Sequence, residues 1–138
     1  MKYVRDHNLI IVRLEKGEEI ISSLLNLSET EHIAYASVSG IGATNNFTMG
    51  IFDLETQIYH KKTYQGAYEI VSLLGNLTRK EGRAYVHLHM SASSLAGIVG
   101  GHLNEAYISA TCEMSLICSD TKVERVKDET IGINLMEF

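Results

Sequence analysis

The chain has 138 residues, 45% of them hydrophobic and 21% charged, with no proline and two cysteines. That length can bury a core without metal or disulfide staples, so one domain over residues 1–138 is expected, and the composition excludes disorder, collagen-like repeats and a disulfide-dense miniature. Twelve Lys and Arg against seventeen Asp and Glu give a formal net charge of -5, the wrong sign for a domain that holds nucleic acid mainly by its phosphates.

The basic residues fall in small groups, Lys61-Lys62, Arg79-Lys80 with Arg83, and residues 122–127, which read as solvated faces. A basic segment leading into an apolar signal core is absent, as is any apolar run of about eighteen residues. Secretion and membrane spanning are therefore disfavoured, and a cytoplasmic protein is expected.

In chain order, residues 9–14 read as an apolar strand. Gly17, Glu18 and Glu19 then open a helix, the acids favouring the positive end of its dipole. Ile20, Ile21, Leu24, Leu25 and Leu27 form the buried stripe of that helix. Short β-type runs follow at residues 34–39, 46–52, 57–64, 68–74, 84–91, 108–118 and 131–136. Gly40 and Gly42 read as the turn after the second strand, Asp53-Leu54-Glu55 as a tight connection, and Gly82 as the end of the 79–81 stretch. One helix against many sequential strands predicts an α+β fold with a largely antiparallel sheet.

Residues 108–118 carry apolar side chains at every even position, Ile108, Ala110, Cys112, Met114, Leu116 and Cys118, which predicts a strand with one core face. On such a strand the two cysteines stand about 20 Å apart and cannot bridge. They read as small buried hydrophobes. Glu113 and Thr111, on the other parity, read as facing solvent or another subunit.

The chemistry concentrates in Val86-His87-Leu88-His89-Met90, where both imidazoles share one face of a strand. Same-face neighbours root about 6.5–7 Å apart, which lets two rings converge on one ion. His102, in Gly100-Gly101-His102-Leu103, supplies a third ligand, and its glycines permit a turn or a close backbone approach that aims it at the pair. Three imidazoles leave a coordination position open. His7, His32 and His60 have no partner at a ligand spacing. Glu69 shares a strand face with Val71 and Leu73, so a carboxylate is expected in apolar surroundings, as a fourth ligand, a general acid/base or a structural acceptor.

The run Gly66-Ala67-Tyr68-Glu69-Ile70-Val71-Ser72-Leu73-Leu74-Gly75-Asn76, then His87-Leu88-His89, Val99-Gly100-Gly101-His102-Leu103 and Ala110-Thr111-Cys112-Glu113, resembles the plant and prokaryote conserved (PPC) domain. Ser39-Gly40-Ile41-Gly42-Ala43 and Gly50-Ile51-Phe52-Asp53 are similar to its earlier motifs in the same order. The resemblance implies an α+β fold with a curved antiparallel sheet, a homotrimer, and a family described as predicted DNA-binding proteins. In the plant members the DNA contact lies in a separate AT-hook that requires proline, which this chain lacks, and with the negative charge this counts against direct DNA binding.

The PPC fold is in turn similar to that of acetolactate decarboxylase, whose H-x-H and downstream histidine hold zinc. That likeness implies zinc or a similar divalent ion at His87, His89 and His102, but does not carry over the decarboxylase activity. With an ion bound, a small molecule is expected near it, against Gly100 and Gly101, and Glu69 is the carboxylate to test for catalysis. The competing reading is a DNA-associated regulatory or protein-interaction module without catalytic activity.

Overall fold

A computed structural model describes residues 1–138. The elements are β1 (Lys2–Asp6), β2 (Leu9–Glu15), α1 (Ile20–Thr30), β3 (Tyr35–Asp53), β4 (Ile58–Lys80), β5 (Arg83–Ser94), β6 (Gly97–Ser119), β7 (Glu124–Lys127) and β8 (Asn134–Glu137). Strands run in the order β1-β2-β6-β3-β4-β7-β8, and β5 pairs both β4 and β6. Strands β3, β4, β5 and β6 thus close a circuit of antiparallel ladders, which long strands can do only by curling. A single parallel bridge, Arg79 to Glu124, docks β7 on β4. The expected α+β architecture, one helix on a curved and largely antiparallel sheet, is the one observed.

The strands are longer than the sequence predicted. The runs at 34–39 and 46–52 merge, from Tyr35 on, into one strand, β3, and those at 57–64 and 68–74 merge, from Ile58 on, into another, β4. Gly40 and Gly42 therefore do not form a turn. They flank a register shift inside β3, and a Cβ at Gly42 would lie 2.5 Å from the Thr111 carbonyl oxygen of β6. Glycine is there because two backbones approach closely while the strand bends, a need that looks like a turn signal when read locally. The predicted one-sided strand also bends. Ile108, Cys112, Met114 and Leu116 are buried, but Ala110 is exposed where the β3–β6 ladder is interrupted between Gly42 and Thr44.

The tight connection after Asp53 forms as expected, with the Asp53 carboxylate accepting from the Glu55 and Thr56 amides. Glu81 and Gly82 make the turn between β4 and β5, both at positive φ, as a two-residue hairpin demands. Strands β1 and β7 had no predicted counterpart.

Glu19 is the cap of α1 and not part of its first turn. Its carboxylate accepts from the Ile21 and Ser22 amides at 2.9 and 2.7 Å, and from the Ala106 amide of β6 at 3.1 Å, so one side chain starts the helix and fixes it to the sheet. Ile20, Leu24 and Leu27 are buried, whereas Ile21 and Leu25 sit at the margin. At the far end Arg79 spans helix and sheet, donating to the Ile33 carbonyl and pairing with Glu29. It is not the solvated residue its sequence neighbourhood suggested. Both cysteines are free, and burial pushes the Cys112 thiol up to about 12, so it behaves as a core hydrophobe.

Candidate metal centre

Strand β5 alternates as its sequence requires: Leu88 and Met90 face the core, while His87 is half-buried and His89 exposed on the opposite side. His89 pairs directly with His102 on β6, and His102 with Gly50 on β3. Strands β5 and β6 form a hairpin around Leu95 and Ala96, and its register makes these two histidines lateral neighbours, while the closing β3–β6 ladder sets Gly50 on the other side of His102. Ring centroids stand 5.3 Å (His87–His89), 5.0 Å (His87–His102) and 5.4 Å (His89–His102) apart. One nitrogen from each ring lies within 4.8 Å of the others.

Backbone closeness supports the cluster. A Cβ at Gly101 would meet the Gly50 carbonyl oxygen at 2.9 Å, so glycine lets β6 approach β3 beside His102. Gly100 instead pairs with Ser91 and stands away from the cavity, which only Gly101 of the two lines. Asn104 has no partner on β3, where Met49 pairs with Leu103 and Thr48 with Glu105. This extra residue lets Asn104 reach the cavity while Leu103 and Ala106 remain in the core. The Tyr59 ring lies against Gly50, 6.1 Å from the His102 ring, and its hydroxyl donates to Asn104 Oδ1 at 3.0 Å.

The histidines open into a cavity of about 780 Å³. Its other walls include Phe52, Tyr85, Arg125, Ile133 and Asn134, and no Asp or Glu lines it. Arg125 is 5% exposed, which corrects the reading of residues 122–127 as a solvated face. It shares the inward parity of Val123, and its guanidinium is gripped by neutral acceptors. Nε donates to Thr78 Oγ1 (3.1 Å), Nη1 to the Asn134 carbonyl (2.9 Å), and Nη2 to Asn76 Oδ1 (2.8 Å). Nη2 also lies 3.0 Å from His87 Nδ1, and the cation sits 5.3 Å from the Tyr85 ring centre.

Burial, and after it the Arg125 charge, lowers His87 to about 4; burial also lowers His102. His87 is therefore neutral near pH 7, the form that offers a lone pair to a metal. Because a guanidinium only donates, Nδ1 of His87 accepts, and the neutral ring carries its proton on Nε2. A cation taken by either nitrogen displaces the Arg125 hydrogen bond: directly at Nδ1, or at Nε2 by sending the proton to Nδ1.

Glu69 lies outside this centre. It is exposed, paired with Ala43 and Ser93, and Ser93 is four residues, or about 13 Å, along β5 from His89. The expectation of apolar surroundings fails because a register shift between Ile70 and Ser72 puts Glu69 and Leu73 on different faces. His7, His32 and His60 stay outside the cluster. Sequence reasoning missed Tyr59, Tyr85, Asn104, Arg125 and Asn134. Of these only Arg125 carried a signal, its parity with Val123.

The sequence profile of the Plants and Prokaryotes Conserved (PCC) domain matches residues 1–118. Among curated proteins none matches. Solved structures match over nearly the whole chain. A protein from Bacteroides thetaiotaomicron, provisionally named for DNA binding, is 27% identical with a TM-score of 0.96, over 99% of this chain and 96% of that one. A metal-containing protein from Archaeoglobus fulgidus is 30% identical with a TM-score of 0.88, over 94% and 93%. A plant- and prokaryote-conserved protein from Pyrococcus horikoshii is 31% identical with a TM-score of 0.85, over 99% and 94%.

Proposed function

The chain belongs to the Plants and Prokaryotes Conserved domain family, and from that premise we propose that it is a metal-binding member, one domain over residues 1–138. In this reading His87, His89 and His102 hold a divalent ion of zinc type beside a small-molecule cavity. The observation that carries it is the convergence of three imidazole nitrogens within 4.8 Å of one another on one sheet face. The donor set fits. Three nitrogens without a carboxylate suit zinc and its neighbours better than magnesium or calcium. Tetrahedral zinc wants its nitrogens about 3.4 Å apart, from bonds near 2.1 Å, so side-chain rotation has to draw the rings together by roughly an ångström. His89, being exposed, is free to make that movement. A bound ion of this kind supplies Lewis acidity and a water of lowered pKa. His87 and His102 supply neutral lone pairs, and Tyr59 orients Asn104 toward the same space. The Archaeoglobus relative, described as metal-containing, supports the reading.

The same proposal includes self-assembly, with the homotrimer as the expected form. On the outer face Ile11, Ile41, Val71, Leu74 and Ile117 are exposed, an apolar patch of a kind that soluble chains usually cover. Leu74 pairs directly with His89, so a neighbour seated there would border the metal centre. Cytoplasmic residence belongs to this reading too, and no helix is long and apolar enough to cross a membrane.

The test is metal analysis of untagged protein beside a His87→Ala/His89→Ala/His102→Ala variant. About one divalent ion per chain, lost from a still-folded variant, is expected. Equal metal in both, or none in either, overturns the proposal. The DNA-associated reading rests on the provisional name of the Bacteroides relative, and it requires a salt-sensitive shift of duplex DNA at physiological ionic strength.

A further inference from the structure

Arg125 is a buried cation without a counter-ion. It is 5% exposed, takes part in none of the ion pairs of the chain, and faces a cavity that no carboxylate lines. Four of its five N–H donors meet neutral acceptors, and one of those acceptors, His87 Nδ1, is lost when the ring takes a cation. The surroundings add positive charge. Lys80 donates to Asn134 Oδ1 behind the cavity wall, and the Lys61 ammonium lies 5.7 Å from the Tyr59 ring centre. A divalent ion would bring the cavity to about three positive charges with no protein anion to balance them, an arrangement that low dielectric penalises heavily.

We propose that this cavity takes a small oxyanionic ligand, a carboxylate or phosphate group, with Arg125 as its counter-charge. The free Nη1 hydrogen, the Nη2 hydrogen released from His87, and the Asn104 side-chain amide are the donors that receive it. The inference deepens the reading above by naming the ligand class and rests on it for the place of the ligand. Arg125 itself lies on β7, beyond the residues that the family profile matches. The neutral grip of Thr78, Asn76 and Asn134 orients the guanidinium without neutralising it, so the charge is kept for a ligand.

The experiment is calorimetric titration of untagged protein, zinc-loaded and metal-stripped, with malonate, inorganic phosphate and the uncharged malonamide. Wild-type protein is expected to bind malonate or phosphate saturably at one site per chain and to ignore malonamide. Arg125→Gln should weaken that binding about tenfold or more. Asn104→Asp, which supplies an internal carboxylate and leaves Arg125 in place, should weaken it as well, so a poorly folded Arg125 variant does not decide the matter. Preference for malonate identifies a carboxylate ligand, and preference for phosphate a phosphorylated one. Anion binding that persists after stripping, with no zinc taken up, upholds the anion site while the metal reading fails. Malonate and phosphate bound no better than malonamide, or binding untouched by both substitutions, overturns it.

Discussion

Two regions share the outer face of the sheet and follow opposite designs. The patch of Ile11, Ile41, Val71, Leu74 and Ile117 is apolar and exposed, while the neighbouring cavity gathers three imidazoles and a buried guanidinium. One lateral row joins them: Ile11 pairs with Ser115, Ser115 with Ser39, Ser39 with Leu74, Leu74 with His89, and His89 with His102. The lesson is that a sheet face is not uniform. Where strands lie flat its side chains offer area, and where the circuit closes they converge on a point. Area suits a second copy of the chain, and convergence suits an ion or small ligand.

Breaking each region separately tests that division. The largest effect is expected from Ile41→Glu with Leu74→Glu, which should abolish assembly in sedimentation experiments because a charge buried in an apolar interface is strongly disfavoured. The double variant should still bind metal, and loss of metal together with assembly would mean that the two regions form a single site. His102→Ala is the converse, with metal affinity lower by about 100-fold or more and sedimentation unchanged.

Gly75→Ala attacks the strand contact beneath both regions. A Cβ there would lie 1.9 Å from the His87 carbonyl oxygen, so β4 and β5 must separate, at a cost of about 3 kcal/mol in denaturant unfolding. A neutral result would show that the ladder can shift without harm. A smaller effect follows from pH. His87 sits at about 4 in the folded protein against its ordinary 6.5, so the unfolded chain binds more protons between those values. Metal-free protein should therefore keep its full stability above about pH 6.5 and lose it as pH falls toward 4, by on the order of 1–2 kcal/mol after allowance for partial exposure. His87→Gln should flatten that slope. The smallest effect is at Cys112, whose thiol should resist alkylation in the native protein and react fully once it is unfolded.

Much of this was legible in the sequence. Alternation in residues 86–90 put both histidines on one face and pointed to His102 as the third member of the cluster, and the one helix and the antiparallel habit of the sheet were legible too. Its strand boundaries were not legible. Glycine in a curling strand and glycine in a turn satisfy the same local demand, and only the partner strand distinguishes them, as Gly42 against Thr111 does. Glu69 was misplaced for a related reason, since one register shift reverses every parity beyond it.

What the sequence by itself determined is what depends on neighbours along the chain: the period-two face of residues 86–90, the start of the helix after Gly17 and the break at Gly82. What only the tertiary structure decided is what depends on closure. His102 meets Gly50 because β6 closes the circuit on β3, and Arg125 enters the cavity because β7 docks on β4 some 45 residues after it in sequence (124 minus 79). No local pattern encodes such a meeting, because the burial that fixes a charged side chain far from its sequence neighbours is a property of the packed whole.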